Sequence, residues 1–582
     1  MSFLIIKNVP ILFCFLILNC TCIATSELSF EIQNKYSKVY GKPGQHLEWL
    51  EDQEIAEPFV ESILCVTSPK EDVKYRWWVA DSEGTILSED EGTEVSFMFS
   101  RVGKFVVSLY EISDSGETYT AREVSVKYVR REIRKLFPDD RDDLLDAMKI
   151  MWSVSDEEGK ALYGERYMSV RSLLVYHQTL AGDRTCDHMH DGYAFVSAHS
   201  ALSFLFEQSL QAIDPKVSLP YWDYIYDIEE WNRVEVQKRW DFTQSELFSA
   251  DFFGRTDEET HYIADGRWAN LVVPLVSDLD EEERNEVPHN AYGQIRAPWA
   301  NNADPHLIRG QNVCGSLTTK NVDKAGRCAS LESLWGYNTF ENFMYYISYM
   351  PHGRIHLLTG GAFFCDEAYE KLYDLPIKPS DIDAIRSLSF AMQKDLYRWG
   401  KLECDEKREC YCPDLDLILK DEELINEVLN DALFSLHLTS YSRSVKEKLV
   451  ETICNSKLVP GDQLQSSSSY MPEFWPIHPN VERMYQVKKL GTRVPKFSDE
   501  TWPQKGTWLI YPNTCGGHGA DDKLLGGKTT IYFNDEQRSF TNSEFLELLD
   551  PTRDTGIPFI YDDLSWDYCN YEFGQNIYGE YV

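Results

Sequence analysis

Imidazole is a good ligand for copper, zinc, iron and nickel, and seven of the chain's 13 histidines fall into two groups about 150 residues apart. The first group is His177, followed by His188-Met-His190-Asp-Gly-Tyr-Ala-Phe195-Val-Ser-Ala-His199. The second is Pro351-His352-Gly-Arg-Ile-His356, with Phe474-Trp-Pro-Ile-His478 far downstream. On a helix, residues four apart project from one face, so His352 and His356 can chelate one ion. Pro351 opens that segment sharply and Gly360-Gly361 stops it. His190 and His199 are nine apart, about two and a half turns of a continuous helix, which would turn their rings to opposite sides. Sharing an ion therefore requires His190 in a loop, with a helix starting near Gly192 or Phe195. His177 joins them from the end of the preceding helix. His188, two residues before His190, competes for the same role.

The elements that must position these rings are helical. From Asp139 the apolar spacing has a helical period, as in Asp143-Leu-Leu-Asp-Ala-Met-Lys-Ile-Met-Trp152. Further helices are expected near 168–179, 196–212, 339–358, 420–436 and 479–489. Residues 214–335 are rich in Pro, Asn and Asp, which implies long ordered loops. Gln465-Ser-Ser-Ser-Ser469 reads as a flexible loop before His478. Residues 25–130 differ: Ser62–Thr67, Lys74–Val79, Glu94–Phe99 and Lys104–Tyr110 are short β-branched or aromatic runs between turn-rich stretches, at intervals typical of a β-sandwich. Beyond residue 500, Thr507–Tyr511 and Lys528–Phe533 suggest a small β-rich unit at 501–582.

With 582 residues, 43% of them hydrophobic, the chain can bury several cores. A formal net charge of −38 argues against nucleic acid, because phosphate binding needs a basic surface. Residues 1–24 read as a secretory signal: Lys7, an apolar run Ile11–Leu18 and a cleavage site at Cys22-Ile-Ala24. That run is shorter than the ~20 residues of a spanning helix, and no later segment qualifies, so a secreted protein without a membrane span is expected. Removing the signal takes three of 14 cysteines and leaves eleven, enough for five disulfides and one over. Cys404, Cys410 and Cys412 lack paired zinc-type spacing and are expected in disulfides.

The residues around the histidines resemble the family of tyrosinases, catechol oxidases and molluscan haemocyanins, which hold a type 3 copper pair. Its first copper motif has two histidines with eight residues between them and Phe five after the first, as in His190, Phe195 and His199, with Glu207 beyond. Its second motif, His-x-x-x-His ahead of Gly-Gly, is met by His352, His356, Gly360 and Gly361, and its last portion by Pro472, Phe474, Trp475, His478 and Glu482. Pro220-Tyr-Trp-Asp223 matches a further signature between them. The resemblance implies two copper ions, one on His177, His190 and His199, the other on His352, His356 and His478. It also implies a mainly α domain over 131–500, a four-helix bundle with long loops. The sandwich at 25–130, with its Tyr-Arg-Trp-Trp-Val strand, resembles the polycystic-kidney-disease-type module. His437, in an apolar helix end, is expected in the core; His46, His261, His289, His306 and His518 are read as surface or supporting groups.

The family's chemistry implies O2 and a small phenol as partners, and oxidation of o-diphenols to o-quinones, with monophenols as a further substrate class of the family. Alternatives are a haemocyanin-like oxygen carrier without turnover and a metal-free extracellular scaffold. Ala198 and Ser200 flank His199 where the family usually has Trp and Arg, Met471 and Ile477 replace Asp and His, and Gly353 replaces Asn. Ser348 stands where monophenol-hydroxylating members often carry a carboxylate, with Glu341 the nearest earlier candidate, which favours diphenols. Some relatives join a cysteine to the middle histidine of the first copper. Cys186 has that Cys-x-His spacing to His188 and not to His190, so the thioether and the choice between these histidines stay open. Ordinary imidazoles would protonate and release copper below roughly pH 6.

Overall fold

The computed structural model describes residues 28–51, 53–235, 238, 240–315, 326–407, 409–433, 438–491, 494–508 and 515–569. The expected signal at 1–24 and His437 lie outside the described residues.

Eight strands form two sheets: β1 (Phe30–Gln33), β2 (Glu54–Ala56), β3 (Glu61–Val66), β4 (Lys74–Asp81), β5 (Ile86–Glu91), β6 (Glu94–Met98), β7 (Gly103–Ser113) and β8 (Gly116–Val126). One sheet has the order β1-β3-β6 and the other β2-β8-β7-β4-β5. Along β4 the period of two buries Tyr75, Trp77 and Val79 and turns Arg76 and Trp78 outward. Phe30, Leu64, Trp77, Val107, Leu109 and Val124 from both sheets share a core of their own. The four apolar runs became β3, β4, β6 and β7. β5 and β8 escaped the sequence pattern because their outer faces are charged, as where Glu123 of β8 meets Lys104 at 2.7 Å.

The histidine-bearing region is built on α1 (Pro138–Ser153), α2 (Val170–Ala181), α3 (Phe195–Ile213), α4 (Gly353–Gly360), α5 (Pro379–Arg398) and α6 (Phe474–Leu490). Ser169 caps α2 by accepting from the Ser172 amide. From Phe195 to Leu210 every residue of α3 is buried, so this helix runs through the core rather than over it. The helix expected over 339–358 is broken into Phe340–Ile347, a π-type turn Ser348–His352, and α4. Pro351 supplies no amide hydrogen and cannot continue the first piece. The long connection 214–335 is fastened by two wholly buried ion pairs, Arg296–Asp462 at 2.8 Å and Arg309–Glu473 at 3.2 Å. Among the described residues no helix is long and apolar enough to cross a membrane.

Of the strand-like run expected at 507–511, residues 509–511 lie outside the described residues. Among the described residues the C-terminal part has a two-stranded hairpin, Ile531–Phe533 with Glu536–Arg538, a short helix Asn542–Leu548, and a strand Phe559–Tyr561. That strand pairs in parallel with Tyr128–Arg130, here β9, and is labelled β10. Phe533, Phe540, Phe545, Phe559 and Trp566 belong to the same core as the histidine helices, so this segment has no separate interior.

Arg130, at the end of β9, is fully buried and bridges two of those helices. Its Nη2 and Nε donate to Glu207 of α3 at 2.5 and 3.0 Å, and its Nη1 meets Glu482 of α6 at 3.3 Å. Tyr561 of β10 donates to Glu482 at 2.9 Å. Burial works against the guanidinium charge, but the two carboxylates outweigh it and raise its pKa. Arg130→Met strands both carboxylates without a counter-charge and is expected to destabilise the fold by about 3–5 kcal/mol, read from urea unfolding midpoints.

Candidate metal centre

Six histidines come together in two trios. His177 of α2, His190 of the loop before α3, and His199 of α3 offer ligand atoms mutually within 4.8 Å, as do His352, His356 of α4 and His478 of α6. The trios adjoin: the His199 and His478 rings stack with centroids 4.6 Å apart. Because α3 starts at Phe195, His190 sits in the preceding loop. That is the break the nine-residue spacing required.

In every ring the Nδ1 atom faces an acceptor. His199, His352 and His478 each reach the carbonyl four residues back, on Phe195, Ser348 and Phe474, at 2.8, 2.9 and 2.8 Å. His177 reaches the Ser466 carbonyl at 2.6 Å and His356 the Gln463 carbonyl at 2.7 Å. His190 reaches the Asp187 carboxylate at 3.0 Å. A carbonyl only accepts, so Nδ1 carries the proton and Nε2 is left with a bare lone pair. The Nε2 atoms of His177 and His199 are buried with no hydrogen-bond partner. Nε2 of His352 lies 2.9 Å from that of His356 and 3.1 Å from that of His478. Neutral imidazoles of this tautomer have no proton for such contacts, so the converging lone pairs call for a cation between them. An all-imidazole donor set suits copper.

The supporting carbonyls were not legible as such. Gln465 and Ser466–Ser469, expected to be flexible, are buried, and Gln463 and Ser466 supply the two long-range acceptors. Phe195 and Phe474 wall the rings, with centroids 4.6 Å from His199 and 4.0 Å from His478. A cavity of about 240 Å³ opens beside His190, His352 and His356, lined also by Trp299, Tyr349 and Leu357.

Of the alternatives left open for Cys186, the structure has it joined to Cys515 in a disulfide, so its sulfur is not available to a histidine. His188 lies against that disulfide, 3.5 Å from the Cys186 sulfur, with Nδ1 at 2.8 Å from the Gly516 carbonyl, and belongs to neither trio. Cys404 pairs with Cys410 and Cys412 with Cys454; with the remaining pairs this makes five disulfides among the described residues, and of those residues Cys65 is free. His518 is buried and its Nε2 lies 2.8 Å from the Asp187 carbonyl. Glu341 accepts from Tyr193 at 3.0 Å.

Residues 165–379 match the family model described as the common central domain of tyrosinase. This central region of the chain therefore carries a tyrosinase-type domain. The match spans five of the six histidines; His478 lies beyond it and is brought in by α6. No curated protein matches the chain. Among solved structures, a tyrosinase from Burkholderia thailandensis is similar over 76% of each chain, at 14% identity and a TM-score of 0.30.

Burial, with help from neighbouring imidazoles, lowers the pKa of His177 to about 3, and burial lowers that of His356 to about 4. His199, His352 and His478 are likewise held well below the usual imidazole range, burial again being the largest cause. Such a group binds fewer protons folded than unfolded. Its contribution to stability is complete above the unfolded value of ~6.5 and is lost as pH falls through the folded value. The window therefore runs from ~6.5 down to about 3–4, below the fall near pH 6 expected of ordinary imidazoles. After dialysis at about pH 7, 5 and 3.5, added copper is expected to be retained at the first two and released at the third; release already at about pH 6 contradicts this. Urea midpoints of the metal-free protein should fall over the same window.

Proposed function

We propose that this protein is a secreted dicopper oxidase that uses O2 to oxidise o-diphenols to o-quinones. The observation that carries the reading is the convergence of six Nε2 lone pairs from two adjoining trios. His177, His190 and His199 would hold one copper and His352, His356 and His478 the other. Bound there, the pair supplies the electron exchange between diphenol and O2, two diphenols and one O2 giving two quinones and two waters.

The chain's own residues do the rest. Nδ1 hydrogen bonds fix the ring orientations, and burial keeps the imidazoles of His177, His199, His352, His356 and His478 neutral and able to ligate. Phe195 and Phe474 exclude water from the rings, and the cavity beside His352 and His356 receives the phenol. Its 240 Å³ suits a single substituted ring, with Leu357, Leu388 and Phe390 offering apolar contact. All its lining comes from residues 181–468, so among the described residues nothing from the C-terminal segment fills it. This favours turnover over a covered oxygen carrier. Glu341, engaged by Tyr193, and Ser348, whose carbonyl serves His352, leave the position of the family's hydroxylation-associated carboxylate without an acid, which supports diphenols over monophenols. Five disulfides, with the expected signal at 1–24, support an oxidising, extracellular setting. On this reading the two-sheet unit, Phe30–Val126, acts as a spacer outside the chemistry.

Copper-loaded protein is expected to consume O2 with a catechol and to be at least about tenfold slower with the matching monophenol, a difference of ~1.4 kcal/mol in the barrier. Oxygen electrode traces with both substrates, alongside copper per chain, decide it. Reversible O2 binding without catechol oxidation would overturn the enzyme reading, and absence of bound copper would overturn the metal reading.

A further inference from the structure

Five of the six Nδ1 atoms donate to main-chain carbonyls, and one, on His190, donates to a carboxylate. The difference follows from local structure. His199, His352 and His478 use the carbonyl of the preceding turn, and His177 and His356 use the buried segment around Gln463 and Ser466. His190 is in a loop with no such carbonyl, and its side chain is 27% exposed. Asp187, three residues earlier and 2% exposed, takes over.

One Asp187 oxygen accepts from the amides of Met189 and His190 and from the His190 ring, each at 3.0 Å. The other faces Lys394 at 3.2 Å and Arg398 at 3.5 Å, both on α5. Lys394 also contacts Asp191 at 3.0 Å. The aspartate is thus locked from both sides, and its charge is balanced from a helix that carries no histidine of either trio. A carboxylate draws more strongly on the Nδ1 proton than a neutral carbonyl does, making the far nitrogen the stronger donor.

We propose that Asp187 is a positioning residue that aims His190 into the first trio and raises its donor strength, so that the two copper sites are unequal and the first depends on this carboxylate. The inference rests on the dicopper reading above.

Stepwise copper titration of metal-free protein against a competing chelator tests it. Asp187→Asn keeps an acceptor and loses the charge; Asp187→Ala loses both. The first site is expected to weaken about 10-fold in Asp187→Asn and about 100-fold in Asp187→Ala, the second keeping its wild-type affinity. In Asp187→Asn the reduction potential of the first copper should also rise. Two wild-type affinities in both variants, or equal weakening of both sites, overturns the inference while leaving the dicopper reading intact. Wild-type protein that binds no copper overturns both. Should the variants not fold, Lys394→Gln leaves Asp187 less neutralised and is expected to tighten the first site; unchanged or weaker binding there overturns the inference.

Discussion

Arg130 holds the two helices on which the trios meet. Glu207 lies two turns beyond His199 on α3 and Glu482 one turn beyond His478 on α6, so a guanidinium bonded to both sets the spacing of these two rings. Phe206 and Trp475 stack at 3.8 Å in the same helix interface, and the Arg130 guanidinium lies 3.4 Å from the centre of the Phe559 ring. A buried ion pair of this kind is weak evidence of stability, because desolvation offsets much of the Coulomb gain. Its value here is geometric: apolar packing lets helices slide, whereas a planar guanidinium with two carboxylate partners admits one arrangement.

Given that spacing, the site is governed by which nitrogen of each ring carries the proton. Every Nδ1 is committed to an acceptor, and every Nε2 is thereby turned inward as a lone pair. Burial keeps the five rings other than His190 neutral, and the phenylalanine walls keep water from relieving them. Such a cluster is costly by itself, since lone pairs face one another or face nothing. The cost is borne by the surrounding core and is relieved when a cation binds, coupling metal affinity to the integrity of the whole domain.

Much of this was legible locally. The four-residue spacing of His352 and His356, the loop required for His190 and the helix start near Phe195 all follow from helix geometry, and those local signals are what the structure retains. What escaped is long-range. Nothing in the stretch 463–469 says that its Gln463 and Ser466 carbonyls will face His356 and His177, and nothing around Arg130 names Glu207 and Glu482 as its partners. Cys186 read as a thioether candidate because its spacing to His188 is local, while its actual partner Cys515 is 329 residues away. The 339–358 helix failed for a local reason that was present in the sequence: Pro351 had been read as a start and is equally a stop. The C-terminal segment read as a unit because its strands are strand-like in composition, but composition does not say that β10 will pair with β9.

That pairing sets an order of events when the chain is made. Tyr561 meets Arg130 across 431 residues. At ordinary rates of synthesis the gap between the two emerging from the ribosome is roughly 20–90 s. Throughout that interval the histidine helices exist while the strand that closes over their rear face does not, leaving the side of Arg130 next to Phe559 uncovered. The unfinished chain is then the form most exposed to aggregation, until the arrival of β10 shuts it.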